Sequence, residues 1–273
     1  MLPVVNKLPT RISRNGLRLY RIGDGSDRYT PSVTTVLGVT SSEKSKRSLE
    51  NWAAKNPGAK EEACARGTEI HACCERYLRN LPVNCPEKYS RYWDGMEKHL
   101  SKFDDIIWSE RPLRPEWVPI TVADDGMPRI WSSKYLYSGT PDLVGIRDGL
   151  IILADYKTSS GPYCRHFPVG EDRSKFTGYM KMQKVKMQLA AYAIAFEETL
   201  GVHIDATQVI VSTDDMTQNF YIRGGELEAS KRKWLERVNL FWQIMAQKDQ
   251  EHARPPEMCF GSYTPTEREL VAA

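Results

Sequence analysis

Two carboxylates and a lysine near the middle of the chain have the types and spacing for phosphodiester chemistry. Asp142 follows the turn Gly139-Thr140-Pro141, and Asp155 follows the apolar run Leu150-Ile151-Ile152-Leu153-Ala154. If Asp142 starts one strand and Asp155 nears the end of its hairpin partner, both acids sit at the same end of a sheet. Carboxylates forced together repel unless a cation joins them, and hard oxygen donors suit Mg²⁺ or Mn²⁺. Lys157 lies two residues beyond Asp155, so along a strand it points to the same face. There its ammonium would orient a water, lower its pKa or neutralise charge on a phosphate. An acid-x-Lys triplet is weak evidence alone, because an ion pair at a strand end reads the same way. The apolar strand and the second acid carry the weight.

Two helical segments add candidates. Arg66, Gly67, Thr68, His71 and Glu75 fall in one of them. His71 and Glu75 are four apart and share a helix face, with Arg66 about one turn earlier. A lone helical histidine is more often a hydrogen-bonded or packed residue than a ligand. Gly67 inside a helix costs up to roughly 1 kcal/mol, which points to close packing there. Gln188 and Tyr192, again four apart, stand near the start of a later helix; Gln188 suits a water or a phosphate, or an ordinary helix amide. Just before it, Arg173, Lys175, Lys181, Lys184 and Lys186 form a stripe with no acid between them. Such a stripe is either a solvated face or a track for phosphates. Trp52, Tyr163 and Phe167 are aromatics able to stack on unpaired bases, though core or loop packing is the commoner role for each.

These residues need elements to hold them. The first 30 residues read as a hairpin or arm with a turn at Asn15-Gly16, and 31–37 as a helical or extended segment. Helices are expected over 48–55, 60–79 and 87–102, then a strand over 105–110 and a proline-rich insertion over 111–129. Strands follow over 130–137, 142–146 and 150–156, the last two joined by Arg147-Asp148-Gly149, a hairpin signal. An irregular stretch over 161–178, a helix over 185–200, strands over 208–213 and 219–223 and a long helix over 226–247 complete the chain. The order implies an α/β or α+β domain with a central mixed sheet flanked by helices. Residues 1–60 form an arm and helix of that same domain, 61–250 its core and 251–273 a tail.

Composition sets the outer limits. The 273 residues are 27% charged and 41% hydrophobic, an ordinary globular composition. With 38 Lys and Arg against 35 Asp and Glu, the net charge of +3 is no polycation, so any nucleic-acid contact must be local. The longest uncharged apolar run, 189–196, is far shorter than a bilayer requires. No secretory leader is visible, and a cytoplasmic protein with no membrane partner is expected. The six cysteines include no CxxC, and reduced thiols, mostly as small buried side chains, are the natural reading.

Taken in order, the motifs resemble the PD-(D/E)xK nuclease superfamily in its RecB-like branch. Arg66-Gly67-Thr68 with His71 looks like the R-G-T-x-x-H block, and Gly139-Thr140-Pro141-Asp142 the G-x-x-D strand. Asp155-Tyr156-Lys157 matches the D-x-K, and Gln188 with Tyr192 the Q-x-x-x-Y. The segments around 31–37 and 49–52 are similar to the arm of mitochondrial genome maintenance exonucleases and of stand-alone phage exonucleases. The resemblance implies a restriction-endonuclease-like core with an N-terminal helical arch over the site. It implies that His71, Asp142, Asp155 and the backbone carbonyl of Tyr156 bind Mg²⁺ or Mn²⁺, with Lys157 catalytic beside Asp142, Asp155 and Gln188. Glu110, Glu75, Arg66 and Tyr192 would support them, and Arg173, Lys175, Lys181, Lys184 and Lys186 would bind DNA. An imidazole among oxygen donors tolerates or favours Mn²⁺. The cysteines of iron–sulfur relatives are missing, so no such cluster is expected.

The expectation is a phage-encoded, metal-dependent exonuclease in the host cytoplasm, acting on single strands or duplex ends in recombination, replication or host-DNA degradation. Recombination or replication proteins would be its partners. The rival readings are a structure-specific or restriction-like endonuclease on the same core, and a non-catalytic DNA-binding recombination partner.

Overall fold

The computed structural model describes residues 11–14, 16–22, 28–113, 129–169 and 173–251. The chain opens with strands β1 (Arg11–Arg14), β2 (Leu17–Arg21) and β3 (Tyr29–Pro31), paired as a small antiparallel sheet. Helices α1 (Val33–Val39), α2 (Glu43–Lys55), α3 (Ala59–Leu78) and α4 (Ser90–Leu100) follow. Then come β4 (Asp105–Ser109), β5 (Arg111–Pro112), β6 (Ile130–Ser132), β7 (Tyr137–Gly139), β8 (Leu143–Arg147) and β9 (Leu150–Thr158). The long helix α5 (Arg173–Leu200), β10 (Ala206–Ser212), β11 (Thr217–Arg223) and α6 (Gly225–Glu251) close the described chain.

The expected mixed sheet is present, in the order β11-β10-β9-β8-β4-β5. Only β9 and β10 are parallel, and a parallel pair needs a crossover, which α5 supplies. Every residue of β10 is buried, as befits a strand covered on both faces. One apolar core joins α1, α5 and α6 to the sheet through Val36, Leu189, Phe196, Val209, Trp234 and Phe241. The other joins α3 and α4 through Ile70, Cys74, Trp93, Met96, Tyr156 and Ile210. The result is three layers with the sheet in the middle.

Several expectations change in detail. The strand expected over 130–137 is a hairpin, β6–β7, because Leu136 takes a left-handed conformation with φ 57°. The stretch expected to be irregular over 161–178 loses its last part to α5, which begins at Arg173 rather than 185. Gly178 lies inside that helix: a Cβ there would collide with the Pro162 carbonyl, so the glycine admits a close backbone approach. Helix α2 starts at Glu43, where Ser42 caps it by accepting a hydrogen bond from the Ser45 amide.

The N-terminal helices do not act alike. Val33, Val36 and Leu37 place α1 inside the main core rather than in an arch, whereas no residue of α2 is buried. Residues 114–128 of the insertion, and 252–273 of the tail, lie outside the described residues. Of the cysteines, Cys73 and Cys74 are buried, but Cys64 is exposed and Cys85 and Cys164 are half-buried, so the reading as small core side chains holds for two. Cys259 lies outside the described residues. Among the described residues, no helix is long and apolar enough to cross a membrane.

Candidate metal centre

Strand register brings the acids together. In the antiparallel pair β8–β9, Leu143 faces Ala154, so continuing by one residue sets Asp142 opposite Asp155. In β4–β8, Ser109 faces Leu143, so the same step sets Glu110 opposite Asp142. Residues directly opposite in a ladder share a face. Glu110, Asp142 and Asp155 therefore form one row across three strands at one end of the sheet.

Their positions are held by the backbone. The Glu110 amide donates to the Asp142 carbonyl at 2.9 Å, and Glu110 adopts φ 56°, a strained choice for a residue with a Cβ. The Tyr156 amide donates to Asp142 Oδ2 at 3.0 Å. One residue before Asp142, the Pro141 carbonyl accepts from the indole of fully buried Trp108 at 3.0 Å.

Helix α3 delivers His71 to this row. Its Nδ1 lies 3.3 Å from Glu110 Oε1 and 3.9 Å from Asp142 Oδ1, and its Nε2 lies 3.2 Å from the Tyr156 carbonyl. His71, Glu110 and Asp142 each offer one ligand atom, and these atoms lie within 4.8 Å of one another. That is a group able to hold a metal ion. Asp155, expected as a ligand, adjoins this trio and forms an ion pair with Lys157. It is fully buried, and apart from that ammonium neither of its oxygens has a hydrogen-bond partner. A buried carboxylate with unused lone pairs beside two other acids is the donor chemistry a hard cation needs. The residues present therefore fit a divalent ion.

No family model matches the chain, and no curated protein does either. The assignment of roles rests on the geometry.

The electrostatics follow from crowding. Burial drives the Asp155 carboxyl up to about 6, with Asp142 adding to the rise and Lys157 opposing it. Burial likewise raises Asp142, against the pull of His71 and Lys157. For His71 burial disfavours the imidazolium, but Asp142 and Glu110 outweigh it and raise the pKa to about 9. Geometry agrees: a carboxylate on one ring nitrogen and a carbonyl on the other suit a ring protonated at both. A metal bound through His71 must displace that proton. Affinity for Mn²⁺ should thus rise about tenfold per pH unit between roughly 7 and 9 and level off above. Calorimetry in buffers of different ionisation enthalpy should show close to one proton released per ion at pH 7.5, and His71→Ala should abolish the release. Affinity independent of pH would remove His71 from the ligand set.

The other expected residues are placed unequally. Gln188 and Tyr192 arrive from α5, on the layer opposite α3, and Gln188 Nε2 donates to the Tyr192 hydroxyl at 3.3 Å. Tyr192 is buried, and burial followed by Asp142 and Asp155 raises its phenol well above the ordinary value, so it stays protonated near the acids. Its ring lies 2.5 Å from where a Cβ on Gly139 would stand, which explains the glycine before the acid row. Gly139→Ala should lower stability by about 1–3 kcal/mol through overpacking. A thermal melt checks this, and an unchanged midpoint would mean the ring has room to move.

Glu75 does not join the group; it pairs with Arg79 at 2.8 Å, one turn along α3. Gly67, expected at a close approach, meets only ordinary contact, with Thr158 Oγ1 3.9 Å from its Cβ position. Lys186, expected on DNA, is instead buried and paired with Glu226 at 2.7 Å, because helical spacing turns it away from the acids toward α6. Lys181 and Lys184 face the other way, toward the end of β9. Lys175 is exposed, and the side chain of Arg173 lies outside the described set. Tyr163 is buried rather than free to stack, its backbone held by Gln218, which accepts from its amide at 2.7 Å and donates to its carbonyl at 3.1 Å. Phe167, 64% exposed, packs edge-on against Phe176 and Tyr179. Trp52 is also exposed. The residue the motifs undervalued is Glu110, which stands in the trio itself.

Proposed function

We propose that this protein is a metal-dependent deoxyribonuclease of the PD-(D/E)xK type that removes nucleotides from free DNA ends. One observation carries the reading: a row of three carboxylates, faced by His71 and followed on the same strand by Lys157, at one end of a mixed sheet. Three acids and one imidazole favour Mg²⁺ or Mn²⁺, the imidazole tilting preference to Mn²⁺. A cation held by His71, Glu110, Asp142 and Asp155 would activate a water and stabilise the oxyanion that leaves phosphorus. Lys157 sits against Asp155 and would neutralise phosphate charge or orient the water. Its ammonium is disfavoured by burial, but Asp155 and Asp142 more than offset this and raise its pKa above the ordinary lysine value. It therefore acts as a cation near neutral pH rather than as a base. Gln188 and Tyr192 supply hydrogen-bonding groups from the opposite layer.

The test uses end-labelled linear and closed circular DNA, single- and double-stranded, with Mg²⁺ or Mn²⁺. Linear substrates should be degraded and circles should survive. Cutting of closed circles would make the protein an endonuclease on the same site, and no cutting with either metal would overturn the nuclease reading.

A further inference from the structure

Beside the acid row, among the described residues, the fold gathers positive charge outside any ion pair. Arg66 lies one residue before Gly67, which faces Thr158 at the end of β9. Ser159, the next residue, accepts a hydrogen bond from Lys181 Nζ at 3.0 Å. Lys184 follows one turn along α5 with its side chain exposed. Three cations from two helical layers thus converge on the strand end that carries Lys157.

Among the described residues, Arg66, Lys181 and Lys184 form no ion pair, in contrast to Lys186 and Lys231, which Glu226 and Glu197 hold. The guanidinium of Arg66 lies over the Tyr92 ring at 4.8 Å, and its Nε is buried without a hydrogen-bond partner. Glu62, one turn before Arg66 on α3, feels its charge but is engaged more closely by the Tyr89 hydroxyl at 2.8 Å and by Lys88 at 3.6 Å. The crowding is felt: desolvation and then Arg66 lower the Lys181 pKa, and desolvation and then Lys157 lower that of Lys184. Like charges brought together by a fold raise its free energy until an anion joins them. A planar guanidinium beside two ammonium groups matches the oxygens of a phosphate.

We infer that Arg66, Lys181 and Lys184 form a phosphate subsite, distinct from the metal-holding acids, that takes a DNA backbone phosphate neighbouring the one presented to Lys157. The identity of the phosphate as DNA rests on the nuclease reading; the subsite itself does not. The experiment measures binding of a short single-stranded oligonucleotide in EDTA, with one linkage at a time replaced by an uncharged methylphosphonate. In the parent protein one linkage should stand out, its neutral form costing roughly tenfold in affinity, about the worth of one charge-assisted contact. Lys181→Gln with Lys184→Gln should weaken the unmodified oligonucleotide by a similar factor and make that linkage no different from the rest. Lys184→Gln alone, at an exposed position, keeps the test valid should the double variant fold poorly. Arg66→Gln should give the same loss of position dependence.

Unchanged affinity in the variants, or a loss spread evenly over all linkages, would overturn the subsite. Inorganic phosphate provides the second arm, and it should compete only weakly. Tight phosphate binding that leaves the oligonucleotide undisturbed would mean a free-anion site and overturn the assignment to DNA. Because these measurements contain no divalent metal, they separate from turnover. A protein that shows the one-linkage effect but never cuts keeps the subsite and loses the nuclease reading.

Discussion

Asp155→Asn should abolish DNA cleavage and at the same time remove the stabilisation that Mn²⁺ gives the parent. Asp155 is fully buried, with the Lys157 ammonium against it and the charge of His71 acting on it as well. Its pKa is raised to about 6, first by burial and then by Asp142. A folded-state value above the unfolded one of roughly 3.9 means that stability is fully present below about pH 4 and is lost as pH rises through 6. Above that range the ionised carboxylate weighs on the fold; the Asn amide removes this burden but leaves the buried Lys157 ammonium without its partner. On the proposed function the charge is kept for the cation it would hold. Adding Mn²⁺ should raise the melting temperature of the parent and not that of Asp155→Asn, while turnover falls by at least about a thousandfold, the several kcal/mol a metal contributes. Asp142→Asn should lose cleavage to the same degree. Normal turnover by either variant, or equal stabilisation of Asp155→Asn by Mn²⁺, would remove these acids from the centre.

Lys157→Ala should lower the rate of the chemical step by roughly 10²–10³ while changing DNA affinity by no more than about twofold. The reason for the split is position: Lys157 is paired with Asp155 in the acid row, whereas Lys181 bonds Ser159, two residues farther along the chain. Its raised pKa predicts that no lysine ionisation will appear in the rate profile between pH 7 and 9. Removing it also strands Asp155 as an unpaired buried charge, which typically costs about 3–5 kcal/mol. The metal-free Lys157→Ala protein should therefore melt well below the parent, and adding Asp155→Asn should recover much of the loss. Additive losses would show that the two side chains do not act as a pair. A large fall in affinity with an unchanged rate at saturating DNA would make Lys157 a binding residue.

How much of this was legible depended on whether the deciding contact was local. Asp142 and Asp155 could be set opposite each other because Asp148-Gly149 marks a hairpin and the apolar run fixes its register. Glu110 could be suspected only as an acid at a strand end. Its place beside Asp142 requires β4 to pair with β8 across the insertion, and its left-handed backbone leaves no trace in the letters around it. The irregular stretch was expected to reach 178, because the Pro162 carbonyl that makes a glycine necessary there comes from outside the helix. Spacing alone showed that Lys184 and Lys186 face different ways. Which of them faces the acids was decided by Glu226, supplied by α6. Tyr163 is packed, the commoner role for such an aromatic, and the two hydrogen bonds to Gln218 from β11 are what pin its segment.

The two apolar cores have a consequence for the newly made chain. His71 rides on α3, which belongs to one core, whereas Gln188 and Tyr192 ride on α5, which belongs to the other. The acids sit on the strands between them. During synthesis α3 and the β8–β9 hairpin emerge well before α5, so an unfinished chain holds the acid row with one wall missing. Only when both helical layers have docked are all the named groups in one place. On the proposed function, an incomplete or proteolysed copy would carry the acid row without its full set of partners and would cut poorly.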